Sequence, residues 1–530
     1  MLQTKRSYNG MVVAPHHLAS QAGLRVLREG GNAVEAMIAA ASTIAVVYPH
    51  MNNLGGDNFW LLYTPGKPVA GIDACGAAAG LASQSFYAEQ GYTAIPDRGP
   101  LAALTMAGAV SGWQAAHEYS RQQLGGRLPL TRLLEDAIHY AREGVAVTQT
   151  LANNIAGKRE QLQAQPGYAE CYLPGGQALQ ENDRLRQQRV SDTLQQLTQT
   201  GLDDFYRGEL AETMASELES SGSPLRIDDF NRHKALWVDP LSAQVSGHVL
   251  YNLPPPTQGL ASLLLLGVHD RLEAAKAETS AYVHSLVEAT KCAFRIRDLH
   301  VTDPAYMATP AAEFLESSRL DAMAAQVNPE QAAPWPDAAT GGDTVWLGAI
   351  DNEGRAVSFI QSVYWEFGSG VILPSSGITW QNRGISFSLD AEHHNALMPH
   401  RRPFHTIQPA LAVLSDGRVM SYGTMGGEGQ PQTQAMVFSR HVLQGQSLQA
   451  SITAPRWLLG RTWGSESTNL RMENRFDPQV YDELKAMGHD VEIVGAYEEI
   501  MGHAGALVHH PDGLIEAGAD PRSDGSAAGF

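Results

Sequence analysis

The feature that most constrains this chain is a change of period at residue 344. Residues 325–343 read AQVNPEQAAPWPDAATGGD, with three prolines, a glycine pair and little to bury, which predicts an exposed flexible segment. Directly after it, residues 344–350 (TVWLGAI) and 355–364 (RAVSFIQSVY) read as strands about a turn at Asp351-Asn352-Glu353-Gly354. Glycine-rich turns then alternate with strands to residue 430, through Gly368-Ser369-Gly370 and the 423–429 stretch GTMGGEG.

The text before the switch is different. Residues 16–47 are alanine-rich and helical, with one helix ending at Gly30-Gly31 and Asn32 placed to cap the next. Residues 52–57 form a turn-rich loop leading into a strand over 59–63. Helical periodicity returns over 130–143, with Pro129 suited to a first turn, and over 280–297. There is no short-period repeat. Long helices mixed with hairpin-connected strands predict an α+β layered fold with a largely antiparallel sheet.

Composition closes off several functions. Of 530 residues, 43% are hydrophobic and 18% charged, enough for a sizeable core and against global disorder. Lys and Arg total 37 against 56 Asp and Glu, a net charge of −19, which repels nucleic acid and anionic membranes alike. Cys75, Cys171 and Cys292 lie too far apart for a disulfide framework or a zinc pattern. The start lacks an apolar signal region, and the apolar run at 260–268 is too short to span a bilayer, so a cytoplasmic location is expected. There is no G-x-S-x-G elbow, no Walker A sequence and no G-x-G-x-x-G after a strand, so no nucleotide cofactor is expected. The pairs His16-His17, His393-His394 and His509-His510 should point apart within each pair, which argues against a metal site in any of them.

The chemistry concentrates at Gly341-Gly342-Asp343-Thr344. Cutting the Asp343–Thr344 peptide would give Thr344 both a hydroxyl nucleophile and a free α-amine. Such an amine has a pKa of roughly 7.7–8.0, near the optimum for a general base. One residue then supplies nucleophile and base, the N-terminal threonine form of covalent catalysis. The alternative is an ordinary β-branched residue opening a strand. With a four-residue turn, residue 350 faces 355, so Thr344 faces Gln361, with Ser362 one step away and a bulge able to shift this by one. The Ser362 hydroxyl is then in reach of the new amino terminus. Gly426 and Gly427 can direct two backbone N–H groups at one spot, as an oxyanion hole needs, or can simply make a tight turn.

Together these residues resemble the gamma-glutamyltranspeptidase family of N-terminal-nucleophile hydrolases. Matching motifs run in order along nearly the whole chain: residues 30–36 (GGNAVEA), Asn53-Leu54-Gly55-Gly56, residues 254–259 (PPPTQG) and His284…Glu288-Ala289…Lys291…Phe294…Asp298. Thr344 with Asp351, Gly354 and residues 367–370 (FGSG) follows, then Gly426-Gly427. The resemblance implies a proenzyme that cleaves itself before Thr344, leaving a large subunit (1–343) and a small one (344–530) together in an αββα sandwich, with pairing of two such heterodimers a further expectation. It implies Thr344 as nucleophile, Ser362 as the hydroxyl that holds it, Gly426 and Gly427 as oxyanion amides, and no cofactor.

Departures bear on substrate. Where the family holds a glutamyl carboxylate with an arginine, this chain has Asp73-Ala74-Cys75-Gly76; where it holds the α-amino group with an aspartate, this chain has Ile385-Ser386-Phe387-Ser388. The paired serines before the small subunit's proline are replaced by His405-Thr406. In their place stands Gln381-Asn382-Arg383-Gly384, whose arginine can clamp a carboxylate, with Asn382, His405 and Thr406 as companion binding residues or Arg383 as a surface cation. Trp346, Tyr364 and Trp365 either narrow the site or belong to the core. The pattern looks like the branch that includes oxamate amidohydrolase and glutaryl-cephalosporin acylases. A small anionic amide is the expected substrate, oxamate giving oxalate and ammonia the first choice, and a glutaryl-type acylase or residual γ-glutamyl hydrolase the second. A silent binding protein of the same fold would remain one chain.

Overall fold

The computed structural model describes residues 2–272, 277–335, 343–460 and 468–530. Two seven-stranded sheets, antiparallel throughout, form its centre. One runs in the order Lys5–Ser7, Ile515–Ala519, Ala504–His509, Val419–Thr424, Ala410–Val413, His248–Asn252, Leu241–Val245. The other runs Ser526–Gly529, Gly10–Ala14, Asp343–Asp351, Ala356–Tyr364, Asp57–Tyr63, Ala70–Ala74, Leu236–Val238. Met11, Val13, Phe59, Leu61, Trp346, Ile350, Ile360, Leu411 and Leu507 pack between the two. Helix Ala33–Val47, buried along its whole length, covers the second sheet, and Gly259–His269 with Gln430–Phe438 covers the first. The result is the expected four-layer αββα sandwich. Segments before and after residue 344 supply strands to both sheets, so the two parts of the chain are interlocked layers rather than separate domains.

Local chemistry explains the main boundaries. Helix His17–Arg28 stops just before Gly30-Gly31, and Asn32 opens Ala33–Val47 with a capping box: its Oδ1 accepts from the N–H groups of Val34 and Glu35, while Glu35 Oε2 accepts from the Asn32 N–H. Asp351, at the end of the Thr344 strand, accepts from Ala33 N–H and from Arg355 Nε at 2.6 Å, tying the hairpin turn to that helix. Arg355 belongs to the turn rather than to a strand, so Ile350 faces Ala356 and the register moves by one from the expectation. The helix expected over 130–143 is two, Leu130–Leu133 and Glu135–Glu143, with Pro129 at the N-cap position.

The segment before the junction departs further from expectation. Residues 336–342 lie outside the described residues, but 328–335 are pinned rather than loose. Glu288 and Lys291, one turn apart on helix Ser280–His300, hold both backbone groups of one residue: Ala333 N–H donates to Glu288 Oε2 at 3.1 Å, and Lys291 Nζ donates to the Ala333 carbonyl at 2.7 Å. The two side chains also pair at 2.7 Å, nearly fully buried. Arg295 donates to the Pro334 carbonyl, and Ala332 N–H to that of Met487. Main-chain groups made these contacts, and side-chain composition does not report them. Lys291→Ala would leave the Glu288 carboxylate buried without its cation, and a loss of roughly 3 kcal/mol in urea unfolding is expected.

The histidine pairs also differ from expectation. His16 and His17 stack at 4.6 Å between ring centroids, as do His393 and His394 at 4.5 Å, because each pair sits at a turn or helix start where alternation does not hold. His16 Nδ1 caps its helix by accepting from Leu18 N–H. No described helix is long and apolar enough to cross a membrane.

Candidate active site

Thr344 is fully buried in strand Asp343–Asp351, one residue into it. The pairing with Ala356–Tyr364 carries an irregularity there: Asp343 faces Tyr364 and Val345 faces Gln361, so three steps on one strand match two on the other. The regular ladder continued from Val345 puts Thr344 opposite Ser362, one residue on from the expected Gln361, and the irregularity falls at this step. Ser362, buried, accepts from Tyr364 N–H at 2.8 Å through its Oγ. Its own strand partner on the far side is Asp57. The Asn53-Leu54-Gly55-Gly56 motif acts sterically at this point. A Cβ on Gly56 would stand 2.1 Å from the Ser362 carbonyl oxygen, so the loop approaches the strand only as glycine.

The second component approaches from the opposite sheet. Strand Val419–Thr424 ends in Met425-Gly426-Gly427, with φ of +116° and +51° at the two glycines, and leads through one tight turn into helix Gln430–Phe438. Positive φ at successive residues admits little but glycine. The amides thus sit at a helix start, where backbone donors and the dipole both favour an anion. Gln430, which the sequence reading did not single out, donates through Nε2 to Thr344 Oγ1 at 3.4 Å and accepts from Gln408 N–H at 3.3 Å. Gln258, from the 254–259 motif, donates to the carbonyls of Gly427 at 2.8 Å and Thr406 at 2.5 Å. Arg297 fixes that glutamine at 2.9 Å and pairs with Glu428 at 3.0 Å. A sequence reader has only the run of glutamines around 430–434 as a hint of this amide network.

The third component is a buried polar corner. Arg383 is 1% exposed, so the surface-cation alternative fails. Its guanidinium lies 3.7 Å from the Tyr364 ring centroid, and Nη1 donates to Thr406 Oγ1 at 3.3 Å. Its Nε and Nη2, the edge that matches a carboxylate, have no hydrogen-bond partner among the described residues. Burial pushes Arg383 down to about 10, which leaves it charged at neutral pH. Asn382 next to it is otherwise engaged: its Nδ2 donates to the Asp97 carbonyl and its Oδ1 accepts from Trp365 N–H. Its side chain shapes the loop, and Arg383 carries the available donors. Trp365 stands under Arg98, and Trp346 belongs to the inter-sheet core, donating to Ser358 Oγ at 2.9 Å.

His405 is buried, edge-on to Phe59, with both ring nitrogens lacking an aligned hydrogen bond. Its Nε2 lies 3.1 Å from Asp57 Oδ2, and Cys75 completes a trio whose donor atoms fall within 4.8 Å of one another. Burial holds His405 well below its usual range, with Arg383 and Arg402 adding to the effect, so the ring is neutral. Burial also pushes the Cys75 thiol well up. After Tyr364, Asp57 is the group that acts most on Arg383, so a guanidinium from another segment lies within electrostatic reach of the Asp57–Cys75–His405 trio, where the resembling family carries its own arginine. A second trio, His284, Glu288 and His489, is saturated internally: His284 Nε2 donates to the Asn328 carbonyl and its Nδ1 meets His489 Nε2, both at 2.8 Å. His284 and Glu288 are four apart on one helix, but Asp57, Cys75 and His405 have no linear ligand spacing and are brought together by the fold.

With Thr344 as nucleophile, Ser362 has one use, to orient it. Ser362→Ala is expected to lower kcat on the order of 10²-fold with little change in KM, measured on processed protein. An unaltered kcat would take Ser362 out of the site.

The comparisons with known proteins agree with this geometry. Residues 19–530 match the family model described as gamma-glutamyltranspeptidase. The chain is 54% identical to the oxamate amidohydrolase proenzyme of Klebsiella pneumoniae over 525 residues, covering 99% of each. It is 40% identical to a glutathione hydrolase-like proenzyme of Bacillus subtilis, covering 98% of each. Among solved structures, a cephalosporin acylase from Bacillus halodurans superposes with a TM-score of 0.92 at 32% identity, covering all of this chain and 97% of that one. The fold is that of the N-terminal-nucleophile hydrolases, and the molecule is an enzyme of the amidohydrolase, proenzyme-forming kind. By its matched length and by these relatives, the chain belongs to the gamma-glutamyltranspeptidase family.

Proposed function

We propose that this enzyme cleaves itself at Asp343–Thr344 and then hydrolyses a small amide bearing one carboxylate, with oxamate the leading substrate. The observation that carries the reading is the Nε/Nη2 edge of Arg383, buried and without a hydrogen-bond partner among the described residues, in a corner joined through Thr406 and Gln258 to the Gly426-Gly427 turn. Buried donors are ordinarily paired, so an edge left open is a binding site for an acceptor of matching shape. The 54% identical Klebsiella protein is named for oxamate, which fits that shape.

The steps follow from the chemistry of the residues. The Thr344 α-amine takes the proton from its own Oγ, which attacks the amide carbonyl. The tetrahedral oxyanion is held by the N–H groups of Gly426 and Gly427. Collapse expels ammonia, with the proton returned by the α-amine, and leaves an ester on Thr344. Water, activated by the same amine, hydrolyses the ester and releases oxalate. The carboxylate stays on Arg383 throughout. Ammonia release by processed enzyme from oxamate, a glutaryl amide and γ-glutamyl anilide, the last followed as aniline, tests the assignment. Oxamate is expected to give the highest kcat/KM; preference for the glutaryl amide would move the enzyme to the acylase reading, which the Bacillus halodurans neighbour favours.

A further inference from the structure

The sequence comparison with the family leaves a head-group site without its arginine and without its aspartate. The fold brings a guanidinium and a carboxyl to the corner from other positions. Arg383 stands on the turn Arg383–Ser386, beside the place of the missing aspartate, and Asp57 opens strand Asp57–Tyr63, beside Cys75, the place of the missing arginine. The two lie beyond ion-pair distance, and among the described residues Nε and Nη2 of Arg383 have no hydrogen-bond partner, while Oδ2 of Asp57, 3.1 Å from His405 Nε2, has no aligned hydrogen bond. His405, fully buried, likewise has no aligned hydrogen bond at either ring nitrogen. Three buried polar side chains at one corner with hydrogen-bonding capacity unfilled point to a ligand.

We propose that Asp57 is a substrate-contacting residue that enters this site as an uncharged acid, so that with Arg383 it accepts a monoanion with an oxygen acceptor beside its carboxylate and rejects a zwitterionic amino-acid head group. The inference rests on the reading of Arg383 as the carboxylate clamp. Asp57 Oδ1 is already held by the N–H groups of Gly76 at 3.0 Å and Gly108 at 2.9 Å, which turns Oδ2 toward His405. A protonated Oδ2 donates to the ligand's second oxygen; an ionised one would repel it and attract an ammonium instead. Burial pushes the Asp57 carboxyl up to about 7, against the opposing influence of the Gly108 N–H, Arg383, Gln381 and the Gly76 N–H.

The other groups facing the corner support a net charge of +1. His405 is neutral and the Cys75 thiol is protonated, both through burial. Tyr206, buried beyond Asp57, keeps its phenol proton. Behind Cys75, Asp73 pairs with Arg402 at 2.7 Å, and Arg402 reaches Asp303 at 3.4 Å. That group lies one layer further back and is internally paired. The carboxyl that titrates against the ligand is Asp57.

The test is calorimetric titration of the processed full-length enzyme with pyruvate, a monoanion carrying an oxo group, and with L-alanine, its zwitterionic counterpart, at pH 6 and pH 8. Pyruvate affinity should fall about tenfold between the two, since the protonated fraction falls tenfold per unit above the pKa. L-Alanine should bind at least about tenfold more weakly than pyruvate at pH 6. Asp57→Asn, which keeps the acceptor for Gly76 and Gly108, should bind pyruvate equally at both pH values. Pyruvate affinity that is flat with pH in the wild type, no pyruvate binding at either pH, or alanine binding that is tighter and lost in Asp57→Asn would each overturn the proposal. Should the variant fail to fold, the wild-type comparison decides. None of these readings needs turnover, so an enzyme inactive on oxamate would refute the substrate assignment and leave Asp57 separately testable.

Discussion

Thr344→Ala should stay a single chain of 530 residues, while the wild type separates on a denaturing gel into pieces of 343 and 187 residues. The expectation follows from the chemistry of the junction. Cleavage before Thr344 requires its hydroxyl to attack the preceding carbonyl, and alanine has no hydroxyl. No partial effect is available, because no other nucleophile occupies that position in the strand. In the native state the two pieces should migrate together, since both sheets contain strands from each side of the junction. Amide turnover should be absent in the variant, as it lacks both the hydroxyl and the freed amine. Wild type that remains uncut yet hydrolyses amides would refute the N-terminal threonine mechanism.

Arg383→Ala should raise KM for oxamate roughly 10²-fold, corresponding to about 3 kcal/mol for a lost bidentate, charge-assisted contact in a buried site. The size follows from burial. At 1% exposure water cannot replace the missing guanidinium, and the substrate carboxylate would be left without a cation. Self-processing should persist, because attack of the Thr344 hydroxyl on the Asp343 carbonyl needs no cation from Arg383. Arg383→Lys should recover only part of the loss: an ammonium restores charge but not the fork, nor the flat stacking on Tyr364. γ-Glutamyl anilide should remain a poor substrate, by roughly 10³-fold in kcat/KM, because the family's arginine and aspartate for its head group are both replaced here. Equal cleavage of that anilide would overturn the substrate class and leave the Thr344 chemistry standing.

The sequence by itself determined the layers and the nucleophile's neighbourhood. Those depend on local rules: period two over 344–364, a capping box at Asn32, glycines where the chain must approach closely or turn left-handed. The combination of Thr344, Ser362 and Gly426-Gly427 is legible because each stands beside a strand end or turn that composition marks. The resemblance named Arg383, His405 and Thr406, but only tertiary structure brought them together and added Asp57. Asp57, Cys75, Arg383, His405 and Thr406 come from segments up to about 350 residues apart, and no periodicity links them. The same applies to the pinned strip at 328–335, read as loose because its contacts are made by main-chain atoms to Glu288, Lys291 and Arg295. Burial completes the division: a carboxyl pushed up to about 7 and an arginine with an open edge are properties of desolvation, and desolvation is set by what the whole chain folds around them.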